Sequence, residues 1–386
     1  MKKVLLIALG LSFGLTLSAQ KNLPVIPAKL AKQSAIAKKI TINDQQVSFT
    51  NQTSTEENYL LSLSNDQLGT TEYDLQTNKC IQNRVVKHPD GTISAAWTMG
   101  TGTFADRGTG YNYYNGTAWD IFPVARIEPV RQGWPSMTVA NGNEVVITHH
   151  GAGLTLTTRT LGTGAWTSAA IPFTAANNLT WPRAMGPSLT SGTIHLIATN
   201  YLGSVNYGMV YSRSLDGGAT WDIQDSVLPG VDPVTEMFPA GGDSYSMDVN
   251  GDMVGIVTGD MTTDVVLIKS LDGGDTWAKQ IVWQHQIPMW NTTIVGPAGS
   301  SDADGDGDAD TLVCTDGRFA VTIDDNGVFH VFMSITRILR DSTTQADYFS
   351  FWPYTDGIVY WNSSEAGPIV PGITFDADIL LYDRMV

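Results

Sequence analysis

The sequence predicts an all-β fold built from repeated four-stranded antiparallel sheets. Three observations carry that expectation. Two near-identical octapeptides, Ser214-Leu-Asp-Gly-Gly-Ala-Thr-Trp and Ser270-Leu-Asp-Gly-Gly-Asp-Thr-Trp, start 56 residues apart. Short alternating segments are separated by Asn-Gly, Asp-Gly and Gly-Gly turns, and helical periodicity is nearly absent. A second motif runs in phase with the first: Trp134-Pro135, Trp181-Pro182, Phe238-Pro239 and then Trp290, at intervals of 47, 57 and 52 residues. Two motifs that share one period point to a repeat architecture.

The chain opens Met-Lys-Lys, followed by an apolar run from Val4 to Leu17 and Ser-Ala-Gln. This is the pattern of a bacterial secretory leader over residues 1–19, cleaved after Ala19. The run is too short for a membrane span of about 20 residues. Its removal leaves no other such segment, so the expected product is secreted or held at the cell surface. Residues 20–57 read as a linker, with Lys29, Lys32, Lys38 and Lys39 interleaved with alanine. The repeat region is expected over 58–386. Formal charge is −16, and beyond Lys87 the only lysines are Lys269 and Lys279. That balance argues against binding a nucleic-acid backbone. Two cysteines, Cys80 and Cys314, could pair in an oxidising compartment, although spacing alone supplies no distance.

Each octapeptide follows an apolar run and reads as strand, tight turn, strand. Asp216 and Asp272 fold back on nearby N–H groups. Gly217–Gly218 and Gly273–Gly274 supply the positive φ that hairpin turns require. Trp221 and Trp277 then offer large faces to bury. Looser versions end at Trp119, Trp166 and Trp361. Five repeat units follow, at about 84–120, 130–166, 181–221, 234–277 and 289–361. Residues 372–386 are strand-like and could join 58–83 to close a sixth unit; a truncated longer protein is the alternative.

The octapeptide resembles the Asp box of sialidases and related β-propellers, Ser-x-Asp-x-Gly-x-Thr-Trp. Both copies match at Ser214, Asp216, Gly218 and Trp221, and at Ser270, Asp272, Gly274 and Trp277. The resemblance implies a propeller, most consistent with six blades, in which the box is a structural turn. It also implies a test for catalysis. Sialidases clamp a carboxylate with three arginines and use a tyrosine nucleophile beside a glutamate, with an aspartate as acid/base. Arg84, Asp106 and Glu236 fall at corresponding places. No arginine follows Glu236 before Arg318, and neither Tyr354 nor Tyr360 carries a motif.

Asp302-Ala-Asp304-Gly-Asp306-Gly-Asp308-Ala-Asp310 fits Asp-x-Asp-x-Asp-Gly-x-x-Asp. Hard Ca²⁺ takes six to eight oxygens, and alternating loop positions aim side chains at one point. The loop resembles those of integrin-type propellers and dockerin-like repeats. There Asp302, Asp304, Asp306 and Asp310 would bind through side chains and Asp308 through its carbonyl, so calcium is the expected cofactor.

Trp134, Trp181, Phe238 and Trp290, if they begin innermost strands, ring one mouth of a central channel, with Arg131, Arg183 and Glu236 nearby. Such aromatics suit stacking on sugar rings; packing between sheets is the competing role. The expected function is an exported binding or scaffold module for glycans or surface partners. An exo-α-sialidase-like hydrolase and a structural domain of a larger surface protein are the alternatives.

Overall fold

The computed structural model describes residues 66–371, except 82, 152, 203–204, 233–242, 342–348, 352–356 and 366. The leader, the linker, Glu236, Phe238, Tyr354 and the segment 372–386 therefore lie outside the described residues. Among the described residues, apart from one four-residue helix at Thr174–Asn177 and one short 3-10 turn at Pro297–Gly299, the regular structure is β.

Five antiparallel sheets follow one another along the chain. Sheet I holds β1 (Val85–Lys87), β2 (Ile93–Met99) and β3 (Gly108–Tyr114). Sheet II holds β4 (Gly133–Ala140), β5 (Asn143–His149), β6 (Leu154–Thr160) and β7 (Thr167–Ala170). Sheet III runs from β8 (Leu179–Met185) through β9 (Ile194–Leu202) and β10 (Val205–Ser214) to β11 (Ile223–Val227). Sheet IV comprises β12 (Tyr245–Asn250), β13 (Met253–Thr258), β14 (Val265–Ser270) and β15 (Ala278–Trp283). In sheet V, β16 (Leu312–Ile323) pairs β17 (Phe329–Leu339), whose other edge pairs both β18 (Ser350–Phe351) and β19 (Gly357–Asn362). Among the described residues there is no sixth sheet.

Apolar layers fill the spaces between successive sheets. Ala96 and Tyr111 of sheet I meet Met137 and Val146 of sheet II. Ile147 and Leu156 meet Ile194 and Leu196. Met209 and Tyr211 meet Val254 and Ile256, and Val257 and Leu267 meet Val321 and Phe329. Sheets II to IV are thus buried on both faces, and strands such as Val-Val-Leu-Ile read as continuous apolar runs. The first strands also bond directly. Ala184 N donates to Ser136 Oγ (2.9 Å), Tyr245 Oη to Trp181 O (2.5 Å) and Ile323 N to Asp248 Oδ2 (2.7 Å).

The octapeptides fasten each sheet to the one before it. Gly218 N donates to Ser214 Oγ (2.8 Å), Thr220 N to Asp216 Oδ1 (2.8 Å) and Thr220 Oγ1 to Asp216 Oδ2 (2.6 Å). Ser270, Asp272, Gly274 and Thr276 repeat the pattern. The closing tryptophan then packs edge-on against an aromatic ring of the preceding sheet or the chain leaving it. Trp166 meets Tyr111 at 5.0 Å, Trp221 meets Phe173 at 5.7 Å and Trp277 meets Tyr211 at 4.8 Å, with interplanar angles of 71–72°. Gly274 sits at φ +92°, where a Cβ would strike the Tyr211 hydroxyl; Gly273, at φ +70°, faces open space. Gly274→Ala should therefore lower the melting temperature more than Gly273→Ala. Both lose glycine's freedom at positive φ, but only the first adds overpacking, about 1–3 kcal/mol. Equal losses would remove the fastening role.

Asp272 is solvent-exposed, and its carboxyl is held at about 2 by the Thr276 hydroxyl, the Thr276 N–H and Ser270. A depressed folded-state pKa stabilises the fold above the ordinary carboxyl range, and that contribution disappears as pH falls toward 2. The melting-temperature gap between the native chain and Asp272→Asn should accordingly be widest above pH 5 and shrink on acidification. A gap that stays constant down to pH 2 would contradict this.

Several expectations need correction. In sheets II, III and IV the fourth strand follows its tryptophan instead of ending at it, because the turn must close before the outer strand begins, whereas Trp361 lies within β19. Sheet I has three strands: beyond a single Tyr114–Trp119 bridge, residues 120–132 leave the ladder, and Pro123 and Pro129 lack ladder donors. Residues 66–84 contribute no strand. Instead they cover sheet I, with Asn112 donating to Leu68 O, and then turn inward. Trp290 lies outside any strand, since sheet V begins only at Leu312, after the acidic loop. Cys80 and Cys314 are free, buried thiols in different apolar clusters. Burial pushes the Cys80 thiol up to about 12 and raises Cys314 as well.

Candidate functional site

Two of the four aromatic residues expected at an open mouth, Trp134 and Trp181, stand at one hydrogen-bonded centre. Trp134 opens β4 at φ +52° and Trp181 stands near the start of β8 at φ +51°, each within a register shift of its ladder. Positive φ in bulky residues marks a position that the surroundings impose. Trp134 is 8% exposed, and its Nε1 donates to Asp243 Oδ2 (3.2 Å). Arg183 is 2% exposed; its Nη2 donates to Asp243 Oδ1 (2.5 Å) and to Cys80 O (3.0 Å). Cys80 N in turn donates to Asp243 O (3.0 Å). Sheets II, III and IV and the inward-turning segment thus converge on one carboxylate.

Arg84 stands beside this centre. Its guanidinium donates to Gln76 Oε1 (2.6 Å) and Gln76 O (2.5 Å). Burial, then the nearby Arg183 charge, lowers its pKa to about 10, so it stays charged at neutral pH. His149 stacks on Trp134 (5.7 Å, 12°) and accepts the Trp181 N–H through Nδ1 (2.7 Å). Burial, assisted by Arg107, pushes it down to about 3, so the imidazole is neutral. Trp290 is separate: it donates to Ser300 O (3.1 Å) and stacks on His285 (5.6 Å). Trp134, Trp181 and Arg183 are therefore brought together, Trp134 and Arg183 buried and Trp181 half-buried, while Trp290 is not among them.

Asp106 belongs to a different place. A cleft of about 620 Å³ opens against sheet I, lined by Thr101, Asp106, Phe122, Val124, Arg126 and Glu128 among others. Thr101 N and Oγ1 donate to the Asp106 carboxylate (3.0 and 2.8 Å) and hold it below the usual carboxyl range. Glu128 is 3% exposed, and burial raises it despite donors from Thr109 N (2.9 Å) and Thr109 Oγ1 (2.5 Å). Arg126 spends Nε on Glu128 O (3.1 Å), Nη1 on Asp106 O (2.8 Å) and Nη2 on Pro129 O (3.3 Å). Above them Phe122 and Val124 face solvent, at 46% and 101% exposure. The arrangement places an apolar lip beside fixed donors and acceptors. Sequence reasoning missed Asp243, Glu128 and this lip; Ile121-Phe-Pro-Val124 is the available signal, an apolar run that a proline keeps out of the ladder.

In the acidic loop, carboxylate oxygens of Asp302, Asp304 and Asp310 lie within 4.8 Å of one another. Gly305 N and Gly307 N donate to Asp302 (2.7 and 3.0 Å), and Ala303 N to Asp310 (2.8 Å). An all-oxygen donor set of this spacing fits a hard cation. Asp306 is not in the group; its carboxylate accepts from Asp308 N (2.9 Å). Asp308 enters the expectation only through its carbonyl.

No helix among the described residues is long and apolar enough to cross a membrane. No family model matches the chain. No curated protein matches it either. Among solved structures it is similar to a Trypanosoma rangeli sialidase, with 11% identity, a TM-score of 0.38 and coverage of 69% of this chain. The aligned part is 48% of that sialidase, about half its length. It is also similar to a GH43_1 enzyme from Xanthomonas citri complexed with xylotriose (9% identity, TM-score 0.39, 78% of this chain and 93% of that one). A third is the polysaccharide lyase Uly1 (13%, 0.38, 67% and 55%). At these values the likenesses carry no argument about activity.

Proposed function

We propose that the chain is an exported, sialidase-like Asp-box propeller of six blades that binds glycans or a surface partner and lacks a full sialidase catalytic set. One observation carries the reading. The central guanidiniums that a carboxylate clamp would have to present are turned inward, Arg183 onto Asp243 and Arg84 onto Gln76. Export rests on the leader, and mass spectrometry of the secreted protein should find Gln20 at its N-terminus. The proposed sixth blade would pack on the outer face of sheet V, where Phe332 and Ile358 are 40% and 53% exposed. The alternating sequence from Ile373 to Leu381 would supply one of its strands.

Calcium belongs to this reading as a structural cation held by Asp302, Asp304 and Asp310, with Asp306 and the Asp308 carbonyl as further oxygens. When bound it neutralises a crowded loop. Adding Ca²⁺ to EDTA-treated protein should raise the melting temperature, by the equivalent of about 2.7 kcal/mol at a hundredfold excess over Kd. Asp304→Asn should shrink that rise. Equal melting with and without Ca²⁺ would remove calcium from the account.

The functional test is a panel of fluorogenic sialosides and glycosides, run with and without EDTA beside a glycan array. Binding without hydrolysis is expected. Sialoside hydrolysis that is lost in Arg84→Ala would overturn the proposal. One observation favours a hydrolase as the second reading: Asp106 and Glu128 line one cleft with pKa values moved in opposite directions, as in acid/base pairs. Hydrolysis of any glycoside that disappears in Asp106→Asn would establish it.

A further inference from the structure

We infer that the cleft on sheet I binds a neutral oligosaccharide; this rests on the glycan-binding reading above and assigns it a site. The cleft, at about 620 Å³, falls within the range of roughly 300–1,000 Å³ typical of ligand sites. Its lip is apolar and held in water: Phe122 is 46% exposed and Val124 101%. Uncovered apolar side chains clustered at the rim of a polar cleft mark a binding surface. Sugar rings present C–H faces to such a lip and hydroxyls to the groups beneath it.

Those groups are of the right kind. Each Asp106 oxygen accepts one bond from Thr101, and a carboxylate has about four lone-pair sites, so capacity remains for ligand hydroxyls. Arg126 is fixed by three backbone carbonyls.

The same bonds decide the ligand's charge. A carboxylate-bearing sugar needs a guanidinium fork, with two parallel N–H groups facing it. Three of the five Arg126 N–H donors are already committed to backbone carbonyls, including the Nε–H that a side-on fork would use, and Arg126 is the only basic residue among the described residues lining the cleft. Asp106 and Glu128 flank it, and the chain carries a formal −16. An anionic ligand meets two carboxyl groups against one guanidinium with two N–H groups left, whereas hydroxyls meet the remaining acceptor sites of Asp106 and those two donors.

The test is calorimetric titration of the full secreted chain with cellotetraose, xylotetraose, laminaritetraose, mannotetraose, lactose and 3′-sialyllactose. Val124→Glu and Phe122→Ser are run in parallel, with melting curves to show that these surface variants fold. At least one neutral tetrasaccharide should bind, each variant should weaken it about tenfold or more (~1.4 kcal/mol), and 3′-sialyllactose should bind no tighter than lactose. Neutral binding unchanged in both folded variants would place the site elsewhere and leave the glycan-binding reading standing. Tighter binding of 3′-sialyllactose than of lactose would overturn the charge argument. No binding to any of these probes, nor to a glycan array, would remove the glycan-binding reading together with the site.

Discussion

Asp243→Ala should destabilise the chain by about 3–5 kcal/mol, the usual cost of stranding a buried charge. Arg183 is 2% exposed and its carboxylate partner is fully buried. Removing the carboxylate leaves a guanidinium with one remaining carbonyl acceptor at Cys80 and another at Pro182, and takes the acceptor from Trp134 Nε1. Removing the charge as well changes the outcome. Arg183→Met combined with Asp243→Ala should recover much of the loss, because a buried pair replaced by apolar groups of similar volume is often neutral. Denaturant unfolding of the single and double variants measures this. A double variant at least as unstable as Asp243→Ala alone would mean that the damage is not electrostatic.

Glu144→Ala should produce a loss of similar size at the junction of sheets I and II. The Glu144 side chain is fully buried and collects donors from both sheets. Ser94 and Tyr111 of sheet I donate to Oε1, while Arg159 Nε (2.7 Å) and Gly162 N (3.2 Å) donate to Oε2. His88 Nε2 lies 2.8 Å from Ser94 Oγ and extends the network. Arg159 sits over the rings of Tyr111 and Trp166, at 4.4 and 4.7 Å. Alanine would strand all of these groups, at about 3–5 kcal/mol. A loss under about 1 kcal/mol would show that water replaces the carboxylate without difficulty. The two sites share a design: an acidic side chain from one sheet satisfies donors on its neighbours, which fixes how the sheets meet.

What the sequence made legible was local. Ser214, Asp216, Gly218 and Trp221 make their turn within eight residues, so spacing alone specifies it. The apolar layers were legible too, because strands buried on both faces read as unbroken runs. The centre was not. Arg183 meets its partner 60 residues further on, and Cys80 Sγ accepts a bond from Phe319 N, 239 residues away. No pattern signals such pairs. The positive φ of Trp134 and Trp181 was not legible either, because strand alternation carries no sign of it. In the acidic loop the alternation of aspartates signals a local turn, and carboxylates of Asp302, Asp304 and Asp310 lie within 4.8 Å of one another there. The cleft escaped notice because Asp106 comes from the β2–β3 loop while the lip and Glu128 come from residues 120–132, and only sheet I brings the two segments together.

The claim on which the functional account depends is that the middle of the array is a lock and that recognition happens elsewhere. It is tested most directly by one saccharide titration, performed on the native chain and on the Asp243→Ala/Arg183→Met double variant, with product release monitored in the same cell. The account predicts affinities that agree within about twofold (~0.4 kcal/mol) and no product from either protein. Binding abolished in a double variant that still melts cooperatively, or product formed by the native chain alone, would contradict it.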